Sequence, residues 1–172
     1  ELYIEQSDFL EEAPKKFFRL KPGGEVRLRY AYIIRCEKVI KNSDGEVSEL
    51  ICTYDPDTRS GTGTSDKKVK GTIHWVSARH SLDAKIRLYD RLFKIPNPSN
   101  IEDIENSINP NSLETVSAKL ESSLDSGDAP DVFQLERNGY FCIDKKEKDK
   151  KYNRIVTLRD SWAKIEKQAL NL

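Results

Sequence analysis

Methionine is absent from the 172 residues, and histidine and tryptophan occur only twice each. A natural open reading frame begins with methionine, so its absence predicts a processed chain or a fragment. Cysteine is scarce as well. Cys36, Cys52 and Cys142 are widely spaced, and no C-x-x-C pair occurs. That argues against a closed zinc site and predicts three reduced thiols, with a single disulfide pair as the alternative. Two histidines alone make a poor metal site. No apolar run approaches the roughly 18 residues of a membrane span, and no basic-then-apolar leader opens the chain. The expectation is a cytoplasmic protein with no membrane partner. Net charge is also lacking, because 29 Lys and Arg residues balance 29 Asp and Glu residues.

Catalytic signatures are missing too. The loop Gly61-Thr62-Gly63-Thr64-Ser65-Asp66-Lys67 looks like a phosphate loop. It fails the G-x-x-x-x-G-K-[ST] test because Lys67 does not follow a glycine. Asp55 and Asp57 do not extend into a calcium loop, since Arg59 and Ser60 stand where an oxygen ligand and a glycine are needed. Neither G-x-S-x-G nor H-E-x-x-H occurs. His74 and Trp75 sit in an apolar stretch and are expected in the core.

What is present is a chain with enough aromatics to fold and an uneven charge distribution. Fifteen Trp, Tyr and Phe residues argue against simple disorder. From Lys15 to Lys38 there are eight basic residues against Glu25 and Glu37. From Ile101 to Asp131 there are eight acidic residues against Lys119. Such a split fits a basic face for a polyanion, or merely two solvated faces.

The pattern is mostly that of strands. Glu25 to Glu37 alternates with period two, with Val26, Leu28, Tyr30, Tyr32, Ile34 and Cys36 on one side, which predicts one long strand. Asp44-Gly45 predicts a hairpin turn before a return strand from Val47 to Tyr54. Pro56 to Lys68 reads as a loop. Val69 to Ala78 and Ala84 to Phe93 read as strands, the second with some helical character. Asn100 can cap a short helix carrying Ile101, Ile104 and Ile108, ended by Asn109-Pro110. Asn111 to Pro130 fits either a helical stripe (Leu113, Val116, Leu120, Leu124) or an extended segment. Val132 to Arg137, Tyr140 to Asp144 and Arg154 to Leu158 read as strands. Many short strands with regular turns predict a mainly β protein of antiparallel barrel or sandwich type, with short helices.

Two polar sets carry candidate chemistry. Arg27 and Arg29 are two residues apart, so on a strand they project the same way, about 7 Å apart. An arginine fork grips phosphates or base edges, and its plane stacks on bases. Arg19 follows Phe17 and Phe18, and aromatics interleaved with arginines suit single-stranded RNA. The plain alternative is a set of surface ion pairs. The second set is Gln134 and Arg137, before the Gly139 turn. Gln134 offers both a donor and an acceptor to a base edge, or simply faces solvent.

Longer blocks are distinctive. Gly71-Thr72-Ile73-His74-Trp75-Val76-Ser77-Ala78 and Ile86-Arg87-Leu88-Tyr89-Asp90-Arg91-Leu92-Phe93 closely resemble the C-terminal part of glutaminyl-tRNA synthetases. The resemblance continues through Phe133-Gln134-Leu135-Glu136-Arg137-Asn138-Gly139-Tyr140-Phe141. It ends in Asn153-Arg154-Ile155-Val156-Thr157-Leu158-Arg159-Asp160-Ser161-Trp162-Ala163-Lys164, and it is nearest the bacterial branch. Upstream, Tyr3-Ile4-Glu5, Asp8-Phe9 and Glu25-Val26-Arg27-Leu28-Arg29 fit as well.

The resemblance implies an anticodon-binding region spanning residues 1–172 and built from two β-barrels. The second, distal barrel would cover about 14–95. Residues 1–13 and 96–172 would belong to the first, proximal barrel, whose opening strands would lie before Glu1 and leave it incomplete here. It further implies that Arg19 reads the third anticodon base, that Arg27 and Arg29 hold the first base and its phosphate, and that Gln134 and Arg137 serve the middle base. Phe18 stands where a basic residue is common and Lys16 where a glutamine can sit, so both become possible additional RNA contacts. The family's catalytic signatures, of the HIGH and KMSKS kinds, have no counterpart here. The chain is therefore expected to bind tRNA as a monomer, with no catalytic residue, metal or cofactor of its own. ATP and Mg2+ would belong to the parent's catalytic domain. The alternatives are the anticodon-binding part of a related glutamyl-tRNA synthetase, or a non-catalytic protein-interaction module.

Overall fold

The computed structural model describes residues 1–95, 98–100, 103–126, 130–146 and 151–158. Ile101 and the block from Arg159 to Lys164 lie outside the described residues. The chain forms two compact units, Glu1–Arg79 and His80–Leu172. Both are mainly β, as the period-two pattern predicts. No described helix is long and apolar enough to cross a membrane.

The first unit contains β1 (Leu2–Tyr3), β2 (Glu25–Leu28), β3 (Ile33–Lys41), β4 (Val47–Asp55), β5 (Thr72–Ile73) and β6 (Val76–Ser77). β4, β3, β2 and β5 form one sheet in that order, and β1 pairs with β6. Neighbours run antiparallel except β2 and β5, which are parallel. The core gathers Phe9, Leu20, Val26, Leu28, Ile34, Cys36 and Ile73, with Trp75 packed against it as expected.

The expected single strand over Glu25–Glu37 is instead a hairpin. The chain reverses after Leu28, with the amide of Ala31 donating to Leu28 O at 2.9 Å and that of Leu28 to Tyr32 O at 2.9 Å. Alternation hides the turn because Val26 and Leu28 on one arm and Ile34 and Cys36 on the other all enter the same core. Nor does glycine, proline or asparagine mark it. Tyr30 itself takes the left-handed conformation, at φ 58°. A non-glycine residue there costs about 1–2 kcal/mol.

The Asp44-Gly45 turn forms as predicted. Asn42 Oδ1 accepts from the amides of Asp44 and Glu46, and Gly45 supplies φ 81°. The expected strand over Val69–Ala78 splits into β5 and β6, because Ile73 stays beside β2 whereas Val76 pairs with β1.

The second unit contains β7 (Leu82–Tyr89), the one-turn α1 (Ile104–Ser107), β8 (Leu113–Leu120), β9 (Val132–Leu135), β10 (Gly139–Ile143) and β11 (Lys151–Val156). The sheet order is β8-β7-β11-β10-β9, with only β11 and β7 parallel among these pairs. Ala84, Ile86, Leu120, Phe141 and Tyr152 form its core, with Phe133 packed alongside. Phe133 stacks on Phe141 and meets Tyr152 edge-on.

Within Asn111–Pro130, Leu113–Leu120 takes the extended alternative, Ser122–Asp125 forms a single 3-10 turn, and 127–129 lie outside the described residues. β8 pairs with β7 along its whole length, and Leu113 is exposed while Leu120 is buried. The short helix is capped by Asp103, whose carboxylate accepts from the Asn106 amide and side chain. Those hydrogen bonds hold the Asp103 carboxyl below its usual range. Ile104 in this helix and Ile108 just beyond it are both exposed.

Residues 1–13 join the first unit through β1 and through the bridge between Phe9 and Leu20. Residues 80–95 join the second through β7.

Candidate functional site

The candidate residues divide between the two units, with Lys16, Phe18, Arg19, Arg27 and Arg29 in the first and Gln134 and Arg137 in the second. In the first, Arg19 is fixed by its surroundings. The parallel bridge from Phe9 to Leu20, with the Leu20 amide donating to Asp8 O at 2.9 Å, brings residue 19 alongside residue 8. Arg19 Nε lies 3.3 Å from Asp8 Oδ1, and its NH1 donates to Ser7 O at 2.8 Å. Asp8 is fully buried whereas the Arg19 side chain is 40% exposed. The guanidinium is thus anchored from below and still reaches solvent. Phe17 lies beneath it, with its ring centre 6.0 Å from Cζ.

Phe18 does not pack inward. It is 51% exposed, and Lys70 Nζ sits 5.4 Å from its ring centre. The backbone of Phe18 approaches the strand so closely that a Cβ on Gly71 would fall 2.0 Å from Phe18 O. Lys16 is exposed nearby in sequence.

Arg27 and Arg29 hold equivalent ladder positions. Their amides donate to Gly71 O and Ile73 O at 2.9 and 3.0 Å. Their guanidinium groups go to different partners. Arg27 NH1 donates to Thr58 O at 2.6 Å, Ala31 O at 3.1 Å and Ser60 Oγ at 3.3 Å. Half-buried Arg27 therefore ties the Thr58–Ser60 loop to the β2–β3 turn. Arg29 Cζ lies 5.0 Å from the ring centre of Tyr30, a contact worth about 0.5–1 kcal/mol at an exposed site. Its carbonyl accepts from Trp75 Nε1 at 3.0 Å.

In the second unit, Gln134 is exposed on β9 directly opposite Tyr140 on β10. Neighbouring Phe133 and Leu135 turn inward to the core. Period two therefore puts Gln134 on the solvent face. Arg137 is exposed in the connecting turn, at φ 67°. The turn closes with the Asn138 amide on Leu135 O at 3.0 Å. Gly139 follows at φ 144°, where a Cβ would meet Val156 O at 2.5 Å.

The phosphate-loop likeness has no geometric counterpart. The amides of Gly63 and Ser65 donate to Arg59 O and Asp57 O, and Lys67 Nζ pairs with Glu25 at 2.7 Å. Asp55 accepts from the Asp57 amide and caps a short turn. Among the described residues no group of three or more His, Cys, Asp or Glu side chains is arranged to hold a metal. The three cysteines are free thiols. Cys36 and Cys52 face each other across β3 and β4. Burial raises both thiols, Cys52 to about 11.

Asp8, Lys70 and Tyr30, which adjoin the candidate residues Arg19, Phe18 and Arg29, were not singled out by the sequence. An aspartate two residues after Gln6 carries no mark of burial. Lys70 and Tyr30 acquire their neighbours only through the turn and the sheet.

Two family profiles match the chain, over residues 1–55 and 72–144. Both are described as tRNA synthetases class I (E and Q), anti-codon binding domain. The chain is similar to the glutamine–tRNA ligase of Rhodopirellula baltica, with 53% identity over 171 residues, covering 96% of this chain and 28% of that protein. The glutamine–tRNA ligase of Nitrobacter hamburgensis is 51% identical over 167 residues, covering 96% and 30%. That of Vibrio parahaemolyticus is 50% identical over 171 residues, covering 98% and 31%. The chain thus spans about three-tenths of the length of these relatives.

Proposed function

Because the chain belongs to the anticodon-binding domains of the class I (E and Q) tRNA synthetases, we propose that it reads the anticodon of a glutamine tRNA within a glutamine–tRNA ligase. The observation that carries this reading is Arg19. A guanidinium locked on a buried carboxylate but open to solvent is a preorganised fork for a base edge.

In this reading Arg19 recognises the third anticodon base. Arg29 and the remaining donors of Arg27 hold the first base and its phosphate. Gln134 and Arg137 serve the middle base, and Lys16 and Phe18 add contacts to the loop. The anticodon bases are unstacked and read separately by side-chain hydrogen bonds. The lysines around Arg19 add salt-sensitive attraction to the backbone. The distal lobe of the anticodon-binding region spans about residues 14–95, and residues 1–13 and 96–172 supply part of the proximal one. Ligation itself, with ATP and Mg2+, belongs to another domain of a cytoplasmic parent, and the chain acts as a monomer.

The family description covers E and Q enzymes alike. Glutamine and glutamate anticodons differ in the genetic code only at the third base, so that base separates the two readings. The test is the binding of the 172-residue chain to a glutamine anticodon stem-loop and to its third-base variant of glutamate type. Preference for the glutamine loop that disappears in Arg19→Ala supports the assignment. Preference for the glutamate loop transfers the chain to the glutamyl reading. An unchanged preference in Arg19→Ala removes Arg19 from the site.

A further inference from the structure

We propose that Tyr30 is a base-stacking residue, presented by the β2–β3 turn to an unstacked base of the RNA loop; this rests on the anticodon-binding reading above. Tyr30 is 82% exposed, so its ring contributes little to the core. Nearby Tyr32 differs, being half-buried with its ring 5.2 Å from that of Tyr54.

The backbone is the second observation. Among the described residues, Tyr30 and Arg137 are the only non-glycine residues in the left-handed region. Asparagine or glycine is the ordinary occupant of such a turn position. An aromatic there is disfavoured by its backbone and gains no burial in return, which points to a ligand.

The third observation is rigidity. Ala31 O accepts from Arg27 NH1, from the Ser60 amide and from Ser60 Oγ, at 3.1, 3.1 and 2.9 Å. The turn is thereby tied from behind to the Thr58–Ser60 loop. Arg29 lies over the Tyr30 ring. A base stacked on the tyrosine would come within reach of this cation, which is suited to the phosphate beside it. Arg27 then has a positioning role in addition to any contact of its own, because it holds the turn that carries Tyr30.

The experiment uses the 172-residue chain, with affinity measured on an unmodified glutamine anticodon stem-loop and quenching measured, at saturating protein, on copies carrying 2-aminopurine at each anticodon position in turn. Tyr30→Asn suits the left-handed backbone and removes the ring, while Tyr30→Phe keeps it. Tyr30→Asn is expected to weaken binding about 5- to 150-fold, the range of base–aromatic stacking. Its melting temperature should not fall, and the salt slope should stay the same, because no charge is removed. Tyr30→Phe should bind within about twofold of the parent chain. Fluorescence of one labelled position should be quenched on binding in the parent and Phe chains only. Unchanged affinity and quenching in Tyr30→Asn, with binding still weakened by Arg19→Ala, overturns this proposal and leaves the anticodon reading standing. A loss shared by Tyr30→Phe overturns stacking in favour of a hydroxyl contact. Absence of any binding by the parent chain overturns both.

Discussion

The guanidinium of Arg19 rests 3.3 Å from the carboxylate of Asp8, one group partly in solvent and the other wholly buried. A buried carboxylate beneath an accessible cation restricts the cation to a narrow set of directions. Asp8→Asn is therefore expected to lower stability by about 2 kcal/mol, the scale of a charge-assisted hydrogen bond left imperfectly made. It should also weaken RNA binding in the same direction as Arg19→Ala. A double-mutant cycle on binding checks this. Coupling between the two positions is predicted, and strict additivity would mean that Asp8 does not position Arg19.

Gly71 tests the seat of Phe18. A Cβ there would fall 2.0 Å from Phe18 O, so the Phe18–Arg19 segment must shift. Gly71→Ala is expected to destabilise the first unit by about 1–3 kcal/mol, as overpacking does. RNA affinity should also fall because Arg19 moves with it. Urea denaturation with an unchanged slope and a lower midpoint is the readout.

Arg137 separates backbone from side chain. At φ 67° asparagine is a more comfortable occupant. Arg137→Asn keeps a residue suited to that backbone while removing the guanidinium, and should reduce discrimination at the middle anticodon base. A variant that is stable and still discriminates would place that recognition elsewhere.

The facing thiols of Cys36 and Cys52 give a pH prediction. Burial raises both, Cys52 to about 11 against 9.0 in the unfolded chain. Between those values the unfolded state binds fewer protons than the folded one, so stability declines as pH rises from 9 towards 11. Their stabilising contribution is complete below pH 9. Alkylation of Cys52 in the folded protein should keep rising with pH through 9 and level off only near 11, as mass mapping of iodoacetamide adducts would show. A plateau already near pH 9 would contradict the buried cross-strand pair.

The mainly β fold was legible because alternation, Asp44-Gly45 and the Gly139 turn are local signals. The reversal at Tyr30 was not. Both arms of the hairpin keep the same alternation, and the turn uses a tyrosine where glycine or asparagine would have marked it. The division of Val69–Ala78 between two partners is set by tertiary pairing, which no local pattern encodes. β8 was ambiguous because Leu113, Val116, Leu120 and Leu124 have helical spacing, and only its pairing with β7 decides. In the candidate site, arginines and Gln134 stood out by chemical type. Asp8 did not, since its importance comes from burial under Arg19.

The central claim is that this chain reads an anticodon, not merely a polyanion. The most direct measurement is the affinity of the 172-residue chain for a glutamine-tRNA anticodon stem-loop and for the same loop with its middle base changed, each across a range of salt concentrations. The prediction is salt-sensitive binding that weakens substantially with the changed base. Equal affinity for both loops, or no binding to either, would contradict it.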